Sequence, residues 1–101
     1  MSRTHVVLCA PKRTPIGTFG GKLKRMPASD LAGLAIHATL EQAKLQESDV
    51  QAAFMGHVIQ AGCKMNSARQ AVISAGLPVS VPAMTVNRVC GSGAQALEIL
   101  D

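Results

Sequence analysis

Val86-Asn87-Arg88-Val89-Cys90-Gly91-Ser92-Gly93-Ala94-Gln95-Ala96-Leu97 decides how this chain is read. An apolar, β-leaning run comes first, a small Gly-Ser-Gly turn follows, and an amphipathic helical pattern begins after it. Strand, tight turn and helix in that order belong to an α/β layer. Cys90 stands at the joint. The spacing predicts a thiol at the positive end of a helix, a setting that favours thiolate over thiol. Gly91, Ser92 and Gly93 are small enough to let a carbonyl approach the backbone, and the Cys90 N–H is placed to face an oxyanion. The layout is analogous to a nucleophile elbow, although the Gly-x-Ser-x-Gly pattern is absent. On spacing alone, an inert packed cysteine and a phosphate-binding helix start stay open beside the nucleophile.

Upstream, the same alternation repeats. Val6-Val7-Leu8-Cys9-Ala10 is a short apolar run closed by Pro11, and it predicts a buried strand of a parallel sheet. A loop rich in breakers follows: Pro11, Pro15, Gly17, Gly20, Gly21 and Pro27. Ser29 or Asp30 offers a helix N-cap. Leu31, Leu34, Ala35 and Ala38 then recur at helical spacing, with Ile36, Leu40 and Ala43 on an adjacent face. That wide apolar surface predicts a well-covered helix ending near Lys44.

Ala52 to Gly56 reads as a second strand and continues into a loop through Gly62. Asn66 or Ser67 caps a helix that runs through Ser74 and is stopped by Gly76 and Pro78. Ala83 to Val89 reads as a third strand, and a last helix starts at Ser92 or Gly93. The order β-α-β-α-β-α predicts an α/β layer with a mostly parallel sheet. Leu97, Ile99 and Leu100 are still in helical rhythm at Asp101, which predicts an N-terminal fragment of a longer protein. Residues 1–101 then form one partial domain whose bare sheet edges favour association or aggregation.

Composition sets outer limits. The chain has 101 residues, enough for at most one small domain. Phe19 and Phe54 are its only aromatic residues of the Phe, Trp and Tyr class, so the core must come from Ala, Val, Leu, Ile and Met. The formal net charge is +4, and Lys12, Arg13, Lys22, Lys24 and Arg25 fall in one segment. That cluster reads as a solvated loop or as an attraction for anionic partners such as phosphorylated cofactors. Nucleic acid is excluded as a partner, because no aromatics interleave the charges for base stacking. Cys9, Cys63 and Cys90 have neither metal nor disulfide spacing, and a reduced, cytoplasmic setting fits them. Met1 to His5 shows no signal or transit pattern, and no apolar run approaches membrane-spanning length.

Several blocks together carry a family resemblance. Val86-Asn87-Arg88-Val89-Cys90-Gly91-Ser92-Gly93 resembles the N-terminal cysteine motif of the thiolases, the acetyl-CoA acetyltransferase and 3-ketoacyl-CoA thiolase family. Arg13-Thr14-Pro15-Ile16-Gly17-Thr18-Phe19-Gly20-Gly21-Lys22-Leu23 resembles the loop after that family's first strand. Gly56-His57-Val58-Ile59-Gln60-Ala61-Gly62, Asn66-Ser67-Ala68-Arg69-Gln70-Ala71 and Ala75-Gly76-Leu77-Pro78 resemble the blocks that come next. They occur in the family's order and cover nearly the whole chain. Lys64-Met65 departs from the Gly-Gln pair common before the Asn, so the loop there need not follow the family's conformation. Ala94 replaces a bulkier residue, which reads as a core change.

The resemblance implies an acyltransferase. Cys90 would attack an acyl-CoA, carry the acyl group as a thioester, and pass it to a second acyl-CoA. The reverse is thiolysis of a 3-ketoacyl-CoA. Acetyl-CoA C-acetyltransferase is the implied activity, within lipid metabolism, with coenzyme A thioesters as substrates and no resident cofactor or metal. The family's base His, second Cys and oxyanion-hole Asn lie in downstream motifs that this sequence lacks. His5, His37 and His57 do not match the catalytic His motif and read as surface or packing residues. The basic cluster does not match the CoA site. The resemblance also implies a homodimer or tetramer, with the Ala83 to Val89 strand at the two-fold interface. The isolated fragment is then expected to be inactive, as a piece that needs its C-terminal part. A β-ketoacyl synthase-like condensing enzyme is a further alternative, disfavoured by the loop blocks.

Overall fold

The structure, a computed structural model, describes residues 5–100. The leader-free reading of Met1–Thr4 and the chain end at Asp101 fall outside them. Helix α1 spans Ala28–Ala43, followed by a 3₁₀ turn at Glu47–Asp49. Strand β1 spans Ala53–Gly56, helix α2 Ser67–Ser74, strand β2 Ala83–Val86 and helix α3 Ser92–Glu98. β1 and β2 pair in parallel, with Ala53 opposite Ala83 and Gly56 opposite Val86. The α/β class with a parallel sheet is therefore present. α2 is the crossover that parallel strands require.

Each helix starts and stops on local chemistry. α2 is capped as its sequence predicts: the Asn66 Oδ1 accepts the Arg69 N–H at 3.1 Å. Gly76 follows its end at φ 85°, a conformation that glycine takes without a Cβ penalty. α1 starts two residues earlier than a Ser29 cap would set. Pro27 holds φ −59° at the N-cap, and its carbonyl accepts from Asp30 and Leu31. Asp30 falls in the first turn, where its charge suits the helix dipole. α1 ends at Lys44, which adopts a left-handed φ of 57° while the Leu45 N–H reaches back to the Leu40 carbonyl.

The core is small and aliphatic. Leu40, Val72, Ala75, Leu77 and Val81 form it, with Ile36, Val50, Ala53 and Ala83 packed around. Val72 is wholly buried, a contribution of about 1.5–3 kcal/mol from its side chain. With so few large side chains, the layers must approach closely. Gly33 of α1 lies against Ser74 and Ala75, at the end of α2.

Three expectations are corrected. Val6-Val7-Leu8-Cys9-Ala10 forms no strand; Val6, Val7 and Leu8 are exposed, and Ala10 alone is buried. Its apolar content suits a sheet interior, but a strand is made by hydrogen bonds from a neighbouring edge. No strand among the described residues pairs with it. The third strand stops at Val86 rather than Val89, because the Asn87 side chain captures the Val89 N–H and turns the chain. α1 is only half covered: Gly33 and Leu40 are buried, whereas Leu34 is exposed.

Candidate active site

Two loops leave the sheet at the same end, after Gly56 and after Val86. In parallel sheets this carboxyl end is where ligands are held. The loops are tied together there. The His57 N–H donates to the Val86 carbonyl at 2.9 Å, and the Asn87 Nδ2 donates to the Val58 carbonyl at 3.2 Å. α3 begins over the same end, with the Ser92 backbone set against Gly56.

Cys90 sits in the turn between β2 and α3, two residues ahead of the helix, and is a free, exposed thiol. The turn is strained. Val89 adopts φ 46°, a left-handed conformation that a β-branched residue rarely takes and that costs on the order of 1–3 kcal/mol. Side chains hold it there. Asn87 Oδ1 accepts the Val89 N–H at 2.9 Å. Ser92 Oγ accepts the Arg88 N–H at 2.8 Å and donates to the Val89 carbonyl at 2.6 Å. The Gly91 and Ser92 N–H groups are occupied by the Arg88 and Val89 carbonyls. The Cys90 N–H makes no hydrogen bond among the described residues. Arg88 is drawn along α3, its guanidinium 2.8 Å from the Gln95 Oε1 and 4.0 Å from the Glu98 carboxylate.

The Asn66-Ser67-Ala68-Arg69-Gln70 block braces β2 and the loop that leads into it. Asn66 accepts from the Thr85 hydroxyl at 2.7 Å and donates to the Ala83 carbonyl at 3.2 Å. The Ala68 N–H reaches the Thr85 Oγ1 at 3.0 Å. Arg69 holds the Val81 and Val79 carbonyls, and Gln70 holds those of Cys63 and Asn66. The block thus fastens α2 to β2 and to both flanking loops. Sequence reasoning found Asn66 as a cap but missed Thr85 and Ser92. Their hydroxyls have no signature beyond a polar residue at a half-apolar position.

Of the other singled-out residues, His57 and Cys63 touch this constellation, through Ser67 and Gln70. His57 is half-buried, and its Nδ1 is 2.7 Å from the buried Ser67 Oγ. His37 lies on the outer face of α1, 3.5 Å from Glu41, and His5 is exposed. Cys9 is exposed, and Cys63 sits half-buried in the loop before α2. Lys12, Arg13, Lys22, Lys24 and Arg25 are all exposed, as a solvated loop requires. Ala94 is exposed too, so its difference from a bulkier residue is a surface change rather than a core one. Lys64 takes φ 64°, and Met65 beside it is almost wholly exposed. A groove of about 680 Å³ runs between the start of α1 and the loop carrying Cys63. An apolar groove of about 450 Å³ runs between α1 and β1. Neither reaches Cys90. Among the described residues no group of His, Cys, Asp and Glu could hold a metal ion, and no helix is long and apolar enough to cross a membrane.

The sequence profile described as "Thiolase, N-terminal domain" matches residues 6–100. An acetyl-CoA acetyltransferase of Cupriavidus necator is 49% identical over 94 residues, covering 93% of this chain and 24% of the relative. A probable acetyl-CoA acyltransferase of Staphylococcus aureus is 46% identical over 96 residues, covering 95% of this chain and 24% of the relative. The chain thus spans about a quarter of the length of the curated relatives it matches.

Proposed function

Because the chain belongs to the thiolase family, we propose that it carries the acyl-accepting nucleophile, Cys90, of an acetyl-CoA C-acetyltransferase. The observation that carries this reading is the turn itself. An exposed thiol stands beside an unspent backbone N–H at the carboxyl end of a parallel strand pair. Both features serve acyl transfer.

The first half-reaction balances with Cys90 and solvent. Cys90 gives its thiol proton to solvent, its thiolate attacks the thioester carbonyl, and an S–C bond forms. The carbonyl oxygen becomes an oxyanion, and the Cys90 N–H, which has no other hydrogen-bond partner among the described residues, is its proposed donor. Collapse re-forms the carbonyl and breaks the bond to CoA, which leaves as a thiolate and takes its proton from solvent. Cys90 then holds the acyl group as a thioester. The second half-reaction needs a base to deprotonate the α-carbon of the next acyl-CoA and an acid to return the proton. His57 and His37 do not match the family's catalytic His motif and are not assigned as that base; His57 Nδ1 pairs with Ser67 and His37 Nε2 with Glu41. The chain is proposed as one catalytic component, with coenzyme A thioesters as substrates and a homo-oligomer as the working assembly. Cys9, Cys63 and Cys90 are all free thiols, in keeping with a cytoplasmic setting.

Incubation with acetyl-CoA followed by peptide mass spectrometry tests the reading. Acetyl groups are expected on Cys90, with none in the Cys90→Ser variant. Preferential acetylation of Cys9 or Cys63 overturns it. Multiple turnovers of acetoacetyl-CoA by the 101-residue chain would overturn the single-component reading.

A further inference from the structure

Ser92 is buried at 4% exposure, directly behind the turn that carries Cys90. Its hydroxyl accepts the Arg88 N–H at 2.8 Å and donates to the Val89 carbonyl at 2.6 Å. Its own N–H donates to the same carbonyl at 3.1 Å. The Val89 oxygen therefore receives two hydrogen bonds from Ser92.

That oxygen belongs to the peptide whose other end is the Cys90 N–H. A peptide unit is planar, and no peptide here is cis, so its C=O and N–H point in opposite directions. Holding the carbonyl toward Ser92 turns the Cys90 N–H away from Ser92. Hydrogen bonds in series also polarise one another. Two donors on the carbonyl make the N–H of the same peptide a stronger donor.

We propose that Ser92 is the positioning residue of the acyl-transfer site. Its hydroxyl orients and polarises the Val89–Cys90 peptide so that the Cys90 N–H meets the oxyanion. The inference rests on the reading of Cys90 as nucleophile. It assigns Ser92 no contact with substrate. It also accounts for the left-handed Val89. The strained φ is the one at which a residue on the first turn of α3 reaches back to the carbonyl just before Cys90.

Two reactions of the same thiol separate this role from mere support of the fold. Alkylation by iodoacetamide needs the thiolate but forms no oxyanion. Acetylation by acetyl-CoA needs both. The ratio of the two rates at Cys90, measured across pH by mass spectrometry, isolates the oxyanion contribution. In Ser92→Ala the ratio is expected to fall about tenfold at every pH, less than the loss seen when an oxyanion donor is removed outright. Ser92→Thr keeps the hydroxyl and is expected to stay within about threefold of the unchanged chain, well inside that loss. An unchanged ratio in folded Ser92→Ala, or equal losses on both probes, overturns the inference while leaving Cys90 as nucleophile. Where Ser92→Ala does not fold, the Thr variant carries the test: a tenfold fall in folded Ser92→Thr overturns the role. If the unchanged chain alkylates at Cys90 yet is never acetylated there, the nucleophile reading fails, and this inference fails with it.

Discussion

Gly56 and Ser92 are in backbone-to-backbone contact. A Cβ built on Gly56 would lie 2.5 Å from the Ser92 carbonyl carbon, 2.6 Å from its oxygen and 2.7 Å from the Gly93 nitrogen. All three atoms are main chain, so no side chain can swing aside. The last residue of β1 is therefore the seat on which the first turn of α3 rests. Through that seat, the strand sets where Cys90 stands.

Gly56→Ala is expected to push α3 off the strand. Overpacking of this kind costs about 1–3 kcal/mol. The loss should appear as a lower urea midpoint, and acetylation of Cys90 should slow because the turn before α3 is displaced. An alanine variant with the midpoint and the acetylation rate of the parent would show that α3 is not seated on Gly56.

Gly33 makes the matching contact between helices. A Cβ there would meet the Ser74 Oγ at 2.7 Å, its Cβ at 2.9 Å and the Ala75 nitrogen at 3.3 Å. In an exposed helix, Gly→Ala stabilises by roughly 0.5–1 kcal/mol. Here the clash should win and leave a net loss of about 1–2 kcal/mol. In a Ser74→Gly background two of the three contacts vanish, and the same substitution should become neutral or favourable. A double-mutant cycle with no coupling between the two positions would refute the contact.

Lys64 occupies the position where the family commonly has Gly, and it holds φ 64°. The left-handed region costs a non-glycine residue about 1–2 kcal/mol, partly offset by glycine's greater freedom in the unfolded chain. Lys64→Gly is expected to raise stability by up to about 1 kcal/mol. Lys64→Val should lower it, since a β-branched residue fits that region worst. Thermal melts of the two variants check the order. The reverse ranking would rule out backbone strain as the distinguishing feature of this loop.

What the sequence made legible follows the range of each signal. α2 was readable at both ends because Asn66 and Gly76 act within a few residues of themselves. The start of α3 at Ser92 and the end of α1 at Lys44 were readable for the same reason. Val6 to Ala10 misled because β pairing is decided by a partner edge, which no local pattern contains. Val89 misled in another way. A β-branched residue three positions beyond Val86, the last residue of β2, argues for more strand, yet the Asn87 and Ser92 side chains overrule that propensity. Cys90 stood out as a candidate from spacing and from resemblance, and the structure shows it as an exposed thiol in the turn before α3. The hydroxyls that hold its turn were not legible, because a buried serine becomes a brace only once the chain has folded around it.

Asn66 offers the sharpest test of how the site is braced. Its Oδ1 caps α2 through the Arg69 N–H and accepts the Thr85 hydroxyl, while its Nδ2 holds the Ala83 carbonyl. Loss of the cap alone costs about 0.5–2 kcal/mol. Asn66→Ala also strands the Thr85 hydroxyl and the Ala83 carbonyl in a half-buried setting, each worth about 1 kcal/mol more. The expected total is about 2–3 kcal/mol, since not all of these terms add in full. Asn66→Asp keeps the acceptor and loses only the donor to Ala83, so it should retain more than half of that stability. Because Thr85 sits one residue before the end of β2, Asn66→Ala should also loosen the turn at Cys90. Faster hydrogen exchange at Val86 and Val89 would register that loosening. Exchange confined to α2 would mean that the brace stops at the helix and does not reach the turn at Cys90.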